Sequence, residues 1–253
     1  MARIIAICNQ KGGVGKTTTA INLGAYLAAA GKFVLLADLD SQANATVGLG
    51  VQLASESQNV YHALIDDINP DILIRKTGLF GFDILPASQN LAGATVELVS
   101  MDSRESRLKK VLGAVRGNYD YILVDCPPSL GLLTINALSA AEQVLIPVQC
   151  EYYALEGLGQ LMNTIDLVKG SVNPDLQVLG VVLTMYDKRN QLAHQVVNEV
   201  MKNFPGRVFE AMIPRTVSLA EAPSFGKTIL QFDPSSRAAR AYRQLAEEIL
   251  KLT

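Results

Sequence analysis

Tryptophan is absent from this chain, and aromatic side chains make up only 6% of its 253 residues. Such a core must be filled by aliphatic side chains and alanine, which suits a parallel sheet covered by Ala- and Leu-rich helices. No excess of one charge exists either: 22 Lys and Arg face 24 Asp and Glu, a formal net charge of −2. Any contact with nucleic acid must therefore come from a local basic patch. Cysteine is scarce as well. Cys8, Cys126 and Cys150 are isolated, odd in number and without metal-ligand spacing, which predicts a reduced, cytoplasmic protein with three ordinary buried thiols. The N-terminus lacks the long apolar region and small-residue cleavage site of a signal peptide. No window reaches the ~18 uninterrupted apolar residues of a membrane span, and no membrane partner is expected. No repeat, low-complexity tract or linker divides the chain, so one domain over residues 1–253 is expected.

What is present is alternation. Strand-like apolar runs occur at residues 4–8, 33–37, 82–85, 121–124, 144–148, 178–184 and 208–213. Helical segments are expected at 17–30, 104–115, 130–141, 155–168, 192–201 and 235–252. This order predicts an α/β fold of right-handed βαβ units, a single mainly parallel twisted sheet with helices on both faces. Ligands of such sheets bind at the carboxyl ends of the strands. The polar stretch 52–59 reads as a surface loop. Ala238, Tyr242, Leu245, Ile249 and Leu252 recur at helical spacing and read as a packing face in preference to a membrane anchor.

The run Ile4-Ile5-Ala6-Ile7-Cys8 leads into Lys11-Gly12-Gly13-Val14-Gly15-Lys16-Thr17-Thr18, and an almost wholly apolar helical segment follows, stopped by Gly31. Strand, glycine-rich loop and helix are the context of a P-loop: the backbone N–H groups curl around phosphate oxygens and the helix N-terminus adds partial positive charge. Lys16 is placed on the β- and γ-phosphates and the Thr17 hydroxyl on Mg²⁺. Gln10 stands where the usual pattern has glycine, and Lys11 is an addition.

Acidic partners follow. Leu35-Leu36-Ala37-Asp38-Leu39-Asp40 sets two carboxylates at the end of a strand. Tyr121-Ile122-Leu123-Val124-Asp125 repeats the arrangement, and Cys126-Pro127-Pro128 stops the chain from continuing as strand. A single strand-end Asp often serves as a helix cap or turn residue. Three at matching positions around one loop point instead to Mg²⁺ held through water by Asp125, with Asp38 or Asp40 polarising the attacking water.

Together, Lys-Gly-Gly-x-Gly-Lys-Thr, Asp-x-Asp and Val-Asp-Cys-Pro-Pro resemble the signatures of the deviant Walker-A ATPases. Over essentially its whole length the chain resembles the ParA/Soj partition ATPases within that P-loop NTPase superfamily. Residues 10–19, 38–46, 125–137, 147–157 and Ile213-Pro214-Arg215 with Glu221-Ala222-Pro223-Ser224 carry the likeness. No cysteine pair has the placement with which nitrogenase iron protein bridges a cluster. The extended amphipathic tail of MinD-type membrane-associated regulators, the alternative reading, is not seen either. The resemblance implies a weak Mg-dependent ATPase with ATP and Mg²⁺ as cofactors. Lys11 becomes the signature lysine that reaches ATP bound by a partner copy, so that two ATP molecules are sandwiched in a homodimer. An added lysine per loop supplies the cation density that facing triphosphates need, and Gly12 and Gly13 leave room for that approach. Asp40 is implied to govern hydrolysis, and Asp38 to support the magnesium shell through water. Pro214, Arg215 and Thr216 fall where the family holds adenine.

By the same resemblance the ATP dimer binds double-stranded DNA without sequence preference, on the nucleoid, and a ParB-type centromere-binding protein releases it by stimulating hydrolysis. Candidate DNA contacts are Lys188, Arg189, Lys202, Lys227 and the row Arg237, Arg240 and Arg243, which spans about 120° of one helix face. Solvated surface cations are the other reading of each cluster. Ser218 departs from a position that is often basic in relatives. No N-terminal helix-turn-helix extension is expected, because the first strand begins at Arg3.

Overall fold

Among the described residues, eight strands form one sheet in the order β3-β4-β2-β5-β1-β6-β7-β8, parallel throughout except for the antiparallel pair β3–β4. In chain order the elements are β1 (Arg3–Ile7), α1 (Lys16–Ala29), β2 (Val34–Asp38), α2 (Asn44–Gly48), α3 (Val60–Ile65), β3 (Arg75–Lys76), β4 (Phe82–Leu85), α4 (Leu91–Glu97), α5 (Arg107–Val115), β5 (Tyr121–Asp125), α6 (Leu132–Ala140), β6 (Gln143–Gln149), α7 (Ala154–Ser171), β7 (Gln177–Tyr186), α8 (Gln191–Asn203), β8 (Val208–Pro214), α9 (Val217–Glu221), α10 (Ile229–Phe232) and α11 (Arg237–Leu250). The structure is a computed structural model that describes residues 1–54, 57–151 and 154–252. Ser55 and Glu56 of the expected 52–59 loop, Tyr152 and Tyr153 of the 147–157 motif, and Thr253 lie outside the described residues.

The central strands are buried along their whole length because helices cover both faces, so they read as continuous apolar runs. Alternate side chains still separate into two layers. Ile5, Ile7, Leu36 and Leu123 pack with Leu23 and Leu27 of α1 and with Tyr242, Leu245 and Ile249 of α11. Ile4, Ala6, Leu35 and Val124 pack on the other face with residues of α3 to α8, among them Leu64, Leu112, Ala137, Leu161 and Val197. The expected packing face of the last helix is thus confirmed. Edge strand β8 is covered: the Glu248 carboxylate accepts the Glu210 and Ala211 N–H groups, both at 2.9 Å.

Several boundaries move for local reasons. α5 starts at Arg107 and not at 104, because residues 102–105 form turns through Ser103 at φ 53°. α6 starts at Leu132, after the extended Gly131. α11 starts at Arg237, where the Ser236 hydroxyl caps the Ala239 N–H. The two-residue β3 and the short helices α2, α3, α4, α9 and α10 were not expected from hydrophobic period, since each offers too few residues for a pattern. The cysteines are buried as expected, but two of them meet in space: the Cys8 and Cys126 Sγ atoms lie 2.7 Å apart.

Candidate active site

The loop between β1 and α1 is shaped by small residues and pinned by two neighbouring strands. Gly13 and Gly15 have φ of 74° and 89°, values that glycine adopts without steric cost. Asn9 donates from Nδ2 to the Pro147 carbonyl of β6 (2.7 Å) and accepts the Lys11 N–H on Oδ1 (3.0 Å). On the far side, the Thr184 hydroxyl of β7 donates to the Val14 carbonyl (2.8 Å). Among the described residues no side chain caps the start of α1, which leaves its first N–H groups for an anion.

Lys16 is buried, and its ammonium donates to the Lys11 carbonyl (3.0 Å), curling back over the loop. Burial lowers its pKa, and the neighbouring Asp125 charge opposes that shift. Lys11 is placed otherwise. Its ammonium lies 2.9 Å from the Glu151 carboxylate just beyond β6, with the two side chains 40% and 49% exposed. The Gln149 amide also donates to Glu151.

Asp38 ends β2 and Asp125 ends β5, directly opposite one another in the parallel register, and both are fully buried. Asp38 is satisfied: it accepts the Asp40 N–H (3.1 Å) on Oδ1, and the Thr46 N–H (2.9 Å) and hydroxyl (2.8 Å) on Oδ2. Thr46 in turn accepts the Ala87 N–H (3.0 Å), so Asp38 ties α2 to the loop after β4. Burial raises the Asp38 pKa. Asp40 accepts the Gln42 N–H (3.0 Å) at the next turn. Asp125 is unlike either, because among the described residues neither of its buried oxygens has a full hydrogen bond. Burial, then the charge of Asp38, push its pKa well above the usual carboxylate range, against the Thr17 hydroxyl and Lys16. An orphaned, buried carboxylate beside Thr17 fits a divalent cation, whose charge would reverse that penalty.

Pro214, Arg215 and Thr216 line a cavity of about 260 Å³ that also touches Gly15, Thr18 and Tyr242. The positions expected to hold a base are therefore brought against the loop expected to hold phosphates. The basic residues are less unified than their spacing suggested. Lys188, Arg189 and Arg237 share a concavity of about 370 Å³ with Arg215. Arg189 is neutralised there by Asp187, which accepts its Nε and Nη2 at 3.1 and 2.8 Å and whose pKa that pairing draws far down. The row Arg237, Arg240 and Arg243 divides: Arg240 donates to the Ser235 carbonyl (2.6 Å), and the Arg243 guanidinium sits 5.9 Å from the Tyr26 ring centre. Lys227 lines a different cleft, with Thr17, Thr18 and Asn44, and Lys202 sits in the last turn of α8.

Sequence reasoning missed Asn9, Thr46, Glu151, Thr184 and Tyr242. Thr184 offered a signal, as a polar residue near the carboxyl end of an apolar strand. The others act through contacts between segments far apart in the chain.

The AAA domain family profile matches residues 2–178. The sporulation initiation inhibitor protein Soj of Bacillus subtilis is 57% identical over 249 residues, covering 98% of each chain. The chromosome partitioning protein ParA of Myxococcus xanthus is 53% identical over 251 residues, covering 99% of this chain and 89% of that one. Among solved structures, Mycobacterium smegmatis cobyrinic acid a,c-diamide synthase with bound ADP and magnesium has a TM-score of 0.88 at 39% identity, covering 99% of this chain and 95% of that one. By its identity to these partition proteins over nearly its whole length, this chain belongs to the ParA/Soj family of P-loop ATPases.

Proposed function

We propose that this protein is a DNA-partitioning ATPase that binds ATP and Mg²⁺, closes into an ATP-sandwich homodimer, and holds duplex DNA without sequence preference. A ParB-type centromere-binding partner stimulates hydrolysis and so releases it from the nucleoid. The observation that carries this reading is the division of labour between two lysines. Lys16 is folded over its own loop, whereas Lys11 stands half-exposed at the rim, where its ammonium pairs with the partly exposed Glu151. A surface pair of that kind contributes little and exchanges readily, so Lys11 is available to phosphates of a second copy. Within this chain a Cβ at Gly12 would meet Pro128 at an ordinary 3.8 Å. The space that glycine leaves there suits a close neighbour from outside the chain.

The residues take the following roles. Lys16 and the loop N–H groups of Gly12, Gly13, Val14, Gly15, Thr17 and Thr18 hold the phosphates. Thr17, and Asp125 through water, would hold Mg²⁺, which would supply charge neutralisation to the phosphates. Asp40 orients the attacking water. Asp38 supports the metal shell through water while positioning Thr46. Pro214, Arg215 and Thr216 hold the base. Lys188, Arg189 and Arg237 form the centre of the DNA surface, with Lys202, Lys227, Arg240 and Arg243 outside it.

Sedimentation of the wild type and of Asp40→Ala, each with ATP, ADP or no nucleotide and with or without nonspecific duplex DNA, tests this. ATP alone should support a dimer that co-sediments with DNA, and Asp40→Ala should accumulate it. DNA binding independent of nucleotide, or wild-type ATP turnover by Asp40→Ala, would refute the reading.

A further inference from the structure

Each half of the nucleotide site is flanked by a cysteine. Cys8 follows β1 and leads into the phosphate loop, and Cys126 follows Asp125 at the end of β5. The register pairs Ile7 with Asp125, so one step further along the two thiols face each other, and the Cys126 N–H donates to the Ile7 carbonyl (3.3 Å). Their Sγ atoms are 2.7 Å apart and each residue is 1% exposed. A disulfide bond is about 2.05 Å long, so the sulfurs need to close by roughly 0.65 Å. Cys150 makes no such contact among the described residues and serves as the internal control.

We propose that Cys8 and Cys126 form a redox modification site, a dithiol that a peroxide converts into an intramolecular disulfide beneath the nucleotide loop. One thiol attacks the peroxide O–O bond, giving a sulfenic acid and one water. The second thiol displaces the hydroxyl of that sulfenic acid, the S–S bond forms and a second water leaves. Two thiols are thereby oxidised by two electrons and the peroxide is reduced to two waters. Burial keeps the first step slow. The second is fast, because the partner sulfur is already in place.

The bond would clamp the junction of β1 and β5. Asn9, which orients the Lys11 N–H, and Asp125 are the residues next to the two sulfurs in the chain. Displacements of several tenths of an ångström at a catalytic site reduce rate, and about tenfold is expected here.

The test uses the whole chain, exposed to hydrogen peroxide, unfolded in an alkylating reagent and mapped by mass spectrometry. A peptide pair linked through Cys8 and Cys126, two hydrogens lighter than the separate peptides, with Cys150 alkylated, is the expected result. This readout needs no assumption about the reaction catalysed. In parallel, ATP turnover should fall about tenfold and return after dithiothreitol, while Cys8→Ala keeps its turnover through the same treatment. Recovery of Cys8 and Cys126 as separate alkylated or over-oxidised peptides would overturn the site. A linked pair without loss of turnover, or equal loss in Cys8→Ala, would overturn the effect on function.

Discussion

Asp125→Asn should make the ligand-free protein more stable and at the same time remove its response to magnesium and nucleotide. The side chain is fully buried, both oxygens lack a full hydrogen bond, and burial with the charge of Asp38 raises its pKa. A buried polar group without a partner costs about 1–3 kcal/mol, and a charged one more. Replacing the carboxyl by an amide removes the charge while keeping the shape, so a gain of about 2 kcal/mol is expected. For a chain of this size that is roughly 4–8 °C in Tm. The sign with pH follows from the direction of the shift. A raised carboxyl pKa means that the folded state holds its proton more tightly than the unfolded state. The contribution of Asp125 is thus fully present well below the usual value of 3.8 and is lost as pH rises through the folded pKa. The advantage of Asp125→Asn should therefore be absent in acid and grow as the pH rises. Thermal melts in EDTA across that range measure it, and a second series adds Mg²⁺ with a non-hydrolysable ATP analogue. An Asp125→Asn protein that melts below the wild type in EDTA at neutral pH, or that gains as much from magnesium and nucleotide, would refute the reasoning.

Other changes test separate parts of the site. Lys16→Ala removes the buried ammonium and should weaken ATP binding by about a hundredfold, roughly 2.7 kcal/mol, in titration calorimetry; retained affinity would move the phosphates elsewhere. Thr46→Val removes two donor–acceptor links between Asp38 and Ala87 and should cost about 3 kcal/mol in urea unfolding, where an unchanged midpoint would show those bonds to be unimportant. Arg189→Ala should still dimerise but bind DNA more weakly, with a log–log salt slope shallower by about 1 for each phosphate no longer neutralised. Asp187→Asn should do the opposite, because it releases Arg189 from its intramolecular partner; equal isotherms for both variants would place DNA on another surface.

Most of the sheet was legible because its central strands are continuous apolar runs and its longer helices carry enough residues to show a period. The phosphate loop was legible for another reason: its chemistry sits on consecutive residues, so spacing alone places Lys16 and Thr17. Asp38 and Asp125 were visible as carboxylates ending apolar strands. Their difference was not, since it depends on Thr46 reaching back to one while the other is left without a full hydrogen bond. Glu151 and Asp187 were invisible for the same cause, as counter-ions that side-chain packing places beside Lys11 and Arg189. The division of the basic row reflects neighbours too: a helix face predicts which side chains are parallel, whereas Tyr26 and Ser235 decide where Arg243 and Arg240 turn.

The most direct measurement is sedimentation equilibrium of Lys11→Ala beside the wild type, both saturated with a non-hydrolysable ATP analogue. The wild type should double its mass, and the variant should bind nucleotide yet remain a single chain. A Lys11→Ala dimer of wild-type affinity would contradict the assignment of Lys11 to the partner copy's phosphates.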